Sequence, residues 1–321
     1  MSKRIFCFAL CAMLFALSFP AEAQQAGKVY RIGYLTPTNI FSAFRQGLRE
    51  LGYVEGKNLT IVYRQAKRSD QYLGLAHELV RLKVDLILAV GSIATRAAKQ
   101  ATRTIPIVMG NSSADPVRLG MIDSLAWPGE NLTRVIDIMS DLAGKRLELL
   151  KEISPKLSRV AHLSPASNIV GAAHLKETEA AARAFGVRVQ ALKVGGPDDL
   201  ESAFRAAVEG GAEALIVSGV SFFIPHRQRI VNLAIKNRLP SMHTHGRWVP
   251  AGGLISYTTD RATRHRRAAY FVDKVLKGTK PADLPVERAT KFVLEINLKT
   301  AKQLGITIPP EVLYQATKVI K

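Results

Sequence analysis

Cysteine is nearly missing from this chain. Its two copies, Cys7 and Cys11, both lie within the first 23 residues. Those residues read as an export leader. Lys3 and Arg4 form a charged start, Ile5 to Phe19 is apolar but short for a membrane span, and Ala21-Glu22-Ala23 is a cleavage site that leaves Gln24 as the new terminus. The mature chain then has no thiol, which excludes disulfides, Cys-ligated metal and thiol catalysis. A cysteine-free chain of this size rests on its apolar core.

Long apolar runs are also lacking. No window after the leader approaches the roughly 18 apolar residues of a spanning helix. Acidic residues are few: 26 Asp and Glu stand against 45 Lys and Arg, for a formal charge of +19. The leader contributes only Lys3, Arg4 and Glu22 to that balance, so the excess belongs to the mature chain. The basic residues are scattered apart from Arg261, Arg264, His265, Arg266 and Arg267, without the aromatic interleaving of a nucleic-acid module. The charge is read as that of a basic exported surface, with no nucleic-acid partner. Catalytic signatures are absent too. There is no Gly-x-Ser-x-Gly elbow, no His-Glu-x-x-His, no Walker loop, and no Gly-x-Gly-x-x-Gly after the first strand. No cofactor is implied. His243-x-His245 would supply two metal ligands, but spacing offers no third, so no metal site is assigned.

What the chain does contain is an internal echo. Arg31-Ile-Gly-Tyr-Leu-Thr-Pro returns at Arg159-Val-Ala-His-Leu-Ser-Pro, an offset of 128 residues. At that offset Leu59 to Tyr63 falls on Val187 to Ala191, and Asp85 to Gly91 falls on Glu213 to Gly219. Three strand candidates in register predict two half-chains of like topology. Between them lie helical patterns. Phe41 to Leu51 has one apolar face and is stopped by Gly52. Asp70 to Lys83, Ile93 to Thr102, Gly144 to Ile153, Leu175 to Phe185, Asp198 to Glu209, Pro225 to Asn237 and Arg261 to Leu276 follow. Alternating strands and helices predict an α/β protein of two Rossmann-like lobes with parallel sheets and hinge crossovers. Lobe 1 is expected over 28–134 plus about 260–285, and lobe 2 over 135–259 plus about 286–321.

In open parallel sheets ligands bind beyond the carboxyl ends of the strands. Two such lobes set those ends across a cleft that closes by hinge motion. The polar residues after each strand are therefore the candidate ligand contacts: Tyr34, Thr36, Asn39, Ser92, Asn111, Ser112 and Asp115 from the first lobe, and Ser164, Ser167, Asn168, Ser218, Ser221, Tyr257 and Asp260 from the second. Each serine at a helix start is either a cap alone or a cap that also serves a carboxylate. Tyr34 and Tyr257 are either core residues or stacking faces for a flat ligand. Asp115 either caps a helix or receives an ammonium group. His243, His245 and Arg247, with the helix N-termini, favour a planar carboxylate. A zwitterionic amino acid held by Asp115 or Asp260 is the competing reading.

Several segments together resemble one family. They are Phe44-Arg-Gln-Gly-Leu-Arg-Glu-Leu-Gly-Tyr-Val-Glu-Gly-Lys-Asn-Leu, Ile105-Pro-Ile-Val, Asp115-Pro-Val-Arg-Leu-Gly, Pro128-Gly-Glu-Asn-Leu-Thr, Lys145-Arg-Leu-Glu-Leu-Leu, Ala251-Gly-Gly-Leu-Ile-Ser-Tyr, Pro281-Ala-Asp-Leu-Pro-Val-Glu and Ile296-Asn-Leu-Lys-Thr-Ala-Lys-Gln-Leu-Gly. In this order they resemble bacterial ABC-transporter substrate-binding proteins of the type I periplasmic-binding architecture, relatives of tryptophan- and tyrosine-type solute receptors. The resemblance implies a monomeric periplasmic receptor, not an enzyme. It would bind a small carboxylate or amino-acid-like ligand and hand it to an ABC permease in the inner membrane. A secreted enzyme on the same scaffold is the alternative. The chain departs from the family pattern where Glu130 and Arg134 replace glycines, where His243 to Val249 replaces a segment that often carries an acid, and where Thr258 follows Tyr257.

Overall fold

The 128-residue echo is a register, residue for residue. In the computed structural model Ile32 pairs with Ile61 on one side and Leu86 on the other, and Val160 pairs with Val189 and Ala214, each of the three being the echo of its counterpart. The structure describes residues 28–37, 42–111, 120–121, 131–136, 139–284, 287–288 and 291–321.

The first lobe is built on β1 (Tyr30–Thr36), β2 (Leu59–Gln65), β3 (Leu86–Val90), β4 (Ile107–Asn111) and β5 (Leu132–Ile136). Between them run α1 (Ser42–Glu50), α2 (Gln71–Arg81) and α3 (Ser92–Ala101). The second lobe has α4 (Met139–Ile153), β6 (Arg159–Pro165), α5 (Ile169–Ala184), β7 (Arg188–Val194), α6 (Leu200–Glu209), β8 (Ala214–Val217), α7 (Arg227–Lys236), β9 (Ser241–His243) and β10 (Ile255–Thr259). The chain then returns through α8 (Arg261–Leu276) and β11 (Glu287–Arg288), and ends in β12 (Phe292–Asn297), α9 (Leu298–Leu304), α10 (Pro310–Gln315) and β13 (Lys318–Ile320). The sheets read β11-β5-β4-β3-β1-β2 and β13-β12-β10-β9-β8-β6-β7. Five strands of each thus share the order 2-1-3-4-5, a doubly wound pattern.

Alternation along the strands decides which face each residue covers. Ile32 and Tyr34 join the core under α1 and α8, whereas Leu35 joins the opposite core under α2 and α3. In the second sheet Val160 packs under α4 and α5, and Ala161 and Leu163 under α6 and α7. β3 is buried at every position, as a central strand covered on both faces must be.

Helix α8 starts in the second lobe and packs on the first. A Cβ built on Gly47 of α1 would lie 2.9 Å from Ala269 Cβ and 3.2 Å from Arg266 Cα, so the glycine lets the two helices touch backbone to backbone. The buried Tyr53 hydroxyl donates to Asp273 of α8 at 3.0 Å. Together these contacts tie the crossover to the first lobe.

Three expectations are corrected. β12 runs antiparallel to β10, so the second sheet is mixed. Helix α5 begins at Ile169, not Leu175, because Asn168 caps it and the small Gly171 fits against Pro165 Cδ, 3.1 Å from a built Cβ. Likewise α4 begins at Met139 rather than Gly144. The terminal α10 and β13 were not anticipated, being too short to show a period.

Candidate functional site

The carboxyl ends of β1, β2 and β3 in one sheet and of β6, β7 and β8 in the other face one groove of about 750 Å³. The first lobe supplies Pro37 after β1, Lys67, Arg68, Ser69 and Tyr72 after β2, and Val90 to Ala94 at the β3–α3 junction. The second lobe supplies Pro165, Ser167 and Asn168 after β6, Gly195 after β7, and Gly219 to Phe222 and Ile224 to His226 after β8. Pro37 and Pro165, partners in the echo, sit on opposite walls. The volume lies within the range of small-molecule sites, and the wall mixes apolar side chains with a few polar groups.

The candidate residues divide into three groups. Ser92, Ser167, Asn168 and Ser221 line the groove. Of these Ser92 is nearly buried as the first residue of α3, while Gly91 turns the chain there with φ of 93°. Asn168 is a cap in fact: its Oδ1 accepts from the Val170 and Gly171 N–H groups, both at 3.0 Å. Replacing it with alanine is expected to cost about 0.5–2 kcal/mol, read as a lower urea midpoint; an unchanged midpoint would contradict the cap.

A second group does not line the groove. Tyr34 is fully buried, stacked on Tyr63 at 5.9 Å and against Phe44 at 5.7 Å, so its ring is core. Thr36 and Ser164 are buried within their strands, and Ser218 is buried at the end of β8, its N–H bonded to Leu163 O at 3.0 Å. Tyr257 stacks on Phe292 at 5.8 Å, and its carbonyl accepts from Arg146 Nε at 2.9 Å. Asp260 caps α8, accepting from Thr263 N–H at 2.7 Å. Burial pushes its pKa up, but the Thr263 hydrogen bonds and nearby Lys291 and Arg264 outweigh that and hold it low. Tyr34, Thr36 and Ser164 belong to the strands themselves, whose two faces are both covered, so their side chains are buried in the sheet. The third group, Asn39, Ser112 and Asp115, lies outside the described residues, and of Asn111 only the backbone is described.

The histidine pair also separates. His243 is fully buried, stacked on Trp248 at 4.7 Å and bonded to Ser241 Oγ at 2.9 Å. Burial lowers its pKa to about 3, so it is neutral. His245 accepts from the Arg247 N–H at Nδ1, 3.2 Å away, which puts the proton of the neutral ring on Nε2. Its pKa too is lowered to about 3, by burial first and then by Arg261, Arg247 and Arg264. Among the described residues no group of three His, Asp or Glu could hold a metal ion.

Lys67, Arg68, Tyr72, Phe222 and His226 line the groove but were not singled out in the sequence. The rule that finds Ser92, polar residues directly after a strand, applies equally to Lys67-Arg68-Ser69 after β2. Phe222 and His226 are four residues apart in a 3₁₀ turn and the residues after it, with ring centroids 6.2 Å apart, and carry no periodic signal.

Comparisons with known proteins agree with this arrangement. The family model for "ABC transporter substrate binding protein" matches residues 37–320. A tyrosine-binding protein of Clostridioides difficile is 26% identical over 264 residues, covering 82% of this chain and 75% of that protein. A conserved domain protein from Vibrio cholerae superposes with a TM-score of 0.85 at 26% identity, over 91% of this chain and 100% of the other. An ABC domain from Streptococcus pneumonia in complex with L-Trp gives 0.84 at 26% identity, over 91% and 99%. No helix among the described residues is long and apolar enough to cross a membrane. With a match running nearly end to end, the chain belongs to the family of ABC transporter substrate-binding proteins.

Proposed function

We propose that this protein is the periplasmic receptor of an ABC import system. After export and cleavage behind Ala23 it binds a small carboxylate or amino-acid-like ligand between its lobes and delivers it to an inner-membrane permease. The observation that carries this reading is the groove lined by strand ends of both sheets, which a ligand touching both walls would close. We read the lobes as 28–136 with 261–288, and 139–259 with 292–321, because α8 and β11 join the first sheet. The chain passes between sheets after β5, β10 and β11, the arrangement of a hinge. Phe222 and Tyr72 suit the flat body of an aromatic ligand, and Ser92, Ser167 and Ser221 suit its polar groups. The receptor acts as a monomer and binds no nucleic acid.

The test is a thermal melt of residues 24–321 against amino acids, dicarboxylates, aromatic acids and purines. A ligand at 100 times its Kd is expected to stabilise by about 2.7 kcal/mol. Recovery of that ligand unchanged supports a receptor. Its conversion to product would establish the enzyme reading instead, and a melt that no member of the panel shifts would count against the groove as a site for these classes.

A further inference from the structure

In the second lobe a small cavity lies between α4, α5 and β6, just behind the groove wall. Its polar lining is Arg146 of α4, His162 of β6, His174, Glu177 and Thr178 of α5, and Thr244 after β9. The echo in the sequence explains the space. At the 128-residue offset His162 answers Tyr34, and its strand partner Ala191 answers Tyr63. In the first lobe those two rings stack 5.9 Å apart, with Tyr34 fully buried against Phe44. An imidazole and a methyl group occupy less volume than two phenol rings. The cavity measures about 10 Å³, close to the roughly 10–15 Å³ that admits one water molecule.

The cavity is polar as well as small. His174, Glu177 and Thr178 recur at the i, i+3, i+4 spacing of one helix face, and that face is turned inward. All three are buried, as are Arg146 and His162. Burying polar side chains costs free energy unless they find partners. Arg146 Nε donates to Tyr257 O at 2.9 Å, Thr178 Oγ1 donates to His174 O at 2.9 Å, and His174 Nδ1 accepts from the Gly219 N–H at 3.3 Å. His162 differs. Its exposure is 0%, and neither ring nitrogen has a hydrogen-bond partner among the described residues. Burial first, and then His174 and Arg146, lower its pKa to about 3, so the neutral ring offers one donor and one acceptor. A buried polar group of this kind calls for a bound molecule.

The lining decides which molecule. Two histidines and a glutamate are metal-ligand types, but the Arg146 guanidinium beside them repels a cation, and no group of three among the described residues could hold a metal ion. An anion would meet the Glu177 carboxyl. A neutral molecule that both donates and accepts suits the whole lining, and the volume restricts it to a single small one.

We infer that this cavity is a binding site for one buried water molecule, hydrogen-bonded to a ring nitrogen of His162 and to a polar side chain across the cavity from it. The inference stands apart from the receptor reading, although the site backs the groove. His174 and Thr244 line the cavity and touch Gly219 of the groove wall: His174 holds the Gly219 N–H, and Thr244 Oγ1 would lie 2.5 Å from a Cβ built there.

A high-resolution crystal structure of residues 24–321 is expected to show a solvent peak about 2.7–3.2 Å from a His162 ring nitrogen and from a second polar atom of the lining. Magnetic relaxation dispersion of water oxygen counts waters of long residence in solution. It is expected to lose about one such water in H162L, whose side chain gives the molecule no partner. H77L, which changes an exposed histidine of α2, should lose none. A wild-type cavity without a peak would overturn the site, and so would a peak with the anomalous signal of a metal or halide ion. Equal dispersion from wild type and H162L would overturn it as well. Should H162L fail to fold, the wild-type crystal alone decides.

Discussion

Lowering the pH from 7 to 5 is expected to remove about 6 kcal/mol of folding stability, enough to bring the protein close to unfolding. Three histidines account for that figure, and His245, lowered in the same direction, adds to it. His162 and His243 are fully buried and His265 nearly so. Burial is the main cause that lowers each pKa to about 3, with His174 and Arg146 adding to it for His162, and Arg264 and Arg261 for His265. In the unfolded chain a histidine titrates near 6.5. The folded pKa is depressed, so below about 6.5 the unfolded state takes up the proton first. Stability is therefore whole above 6.5 and falls by about 1.4 kcal/mol per histidine for each pH unit toward 3. Urea unfolding at pH 7, 6 and 5 measures the slope. His162 isolates one contribution, because neither ring nitrogen has a hydrogen-bond partner among the described residues. H162L should match wild type at pH 7 and exceed it by about 2 kcal/mol at pH 5. A wild-type midpoint that does not move between pH 7 and 5 would show that these rings are protonated in the folded state.

Most of this fold was legible because it is written twice. A single stretch such as Arg31 to Thr36 could belong to many proteins, but its return at Arg159 fixes strand identity, order and register at once. β1, β2, β3 and β8 came out within two residues, since β-branched runs bounded by glycine and proline are strong local signals. Helix starts were harder. Asn168 and Gly171 look like loop residues until the cap bonds and the contact with Pro165 are seen, because those depend on residues distant in the chain or on backbone geometry. The antiparallel β12 was hidden for a similar reason: nothing local distinguishes it from a parallel strand.

The site was legible as a location more than as a set of side chains. The strand-end rule finds the groove, and Ser92, Ser167 and Asn168 lie on it. It fails on Tyr34, Thr36 and Ser164, which belong to the strands themselves and are buried there. It also misses Phe222 and His226, placed by a 3₁₀ turn that no period announces. The basic run at Arg261 looked like solvated surface in the sequence. α8 instead carries Arg264 and His265 inward while Arg266 is exposed, so one helix presents the same residue types to two environments.

Trp248→Ala is expected to cost about 3–5 kcal/mol of folding stability. Trp248 is among the largest fully buried side chains and sits in the loop that also carries His245 and Arg247. Its ring stacks on His243 with 11° between planes. Its carbonyl accepts from Ala251 N–H at 3.0 Å and Gly253 N–H at 2.8 Å, and its own N–H donates to His245 O at 3.3 Å. The loop's far end is tied by Asn297 Nδ2 to Val249 O at 3.0 Å and Thr300 Oγ1 to Gly252 O at 2.8 Å. The buried ring leaves a cavity when truncated, while the backbone bonds of the loop remain. The melting temperature should fall by about 10 °C or more. W248F keeps a flat ring on His243 and should lose less, which separates the stack from sheer volume. A W248A melting temperature within a degree or two of wild type would show that the surrounding core closes over the space the ring leaves.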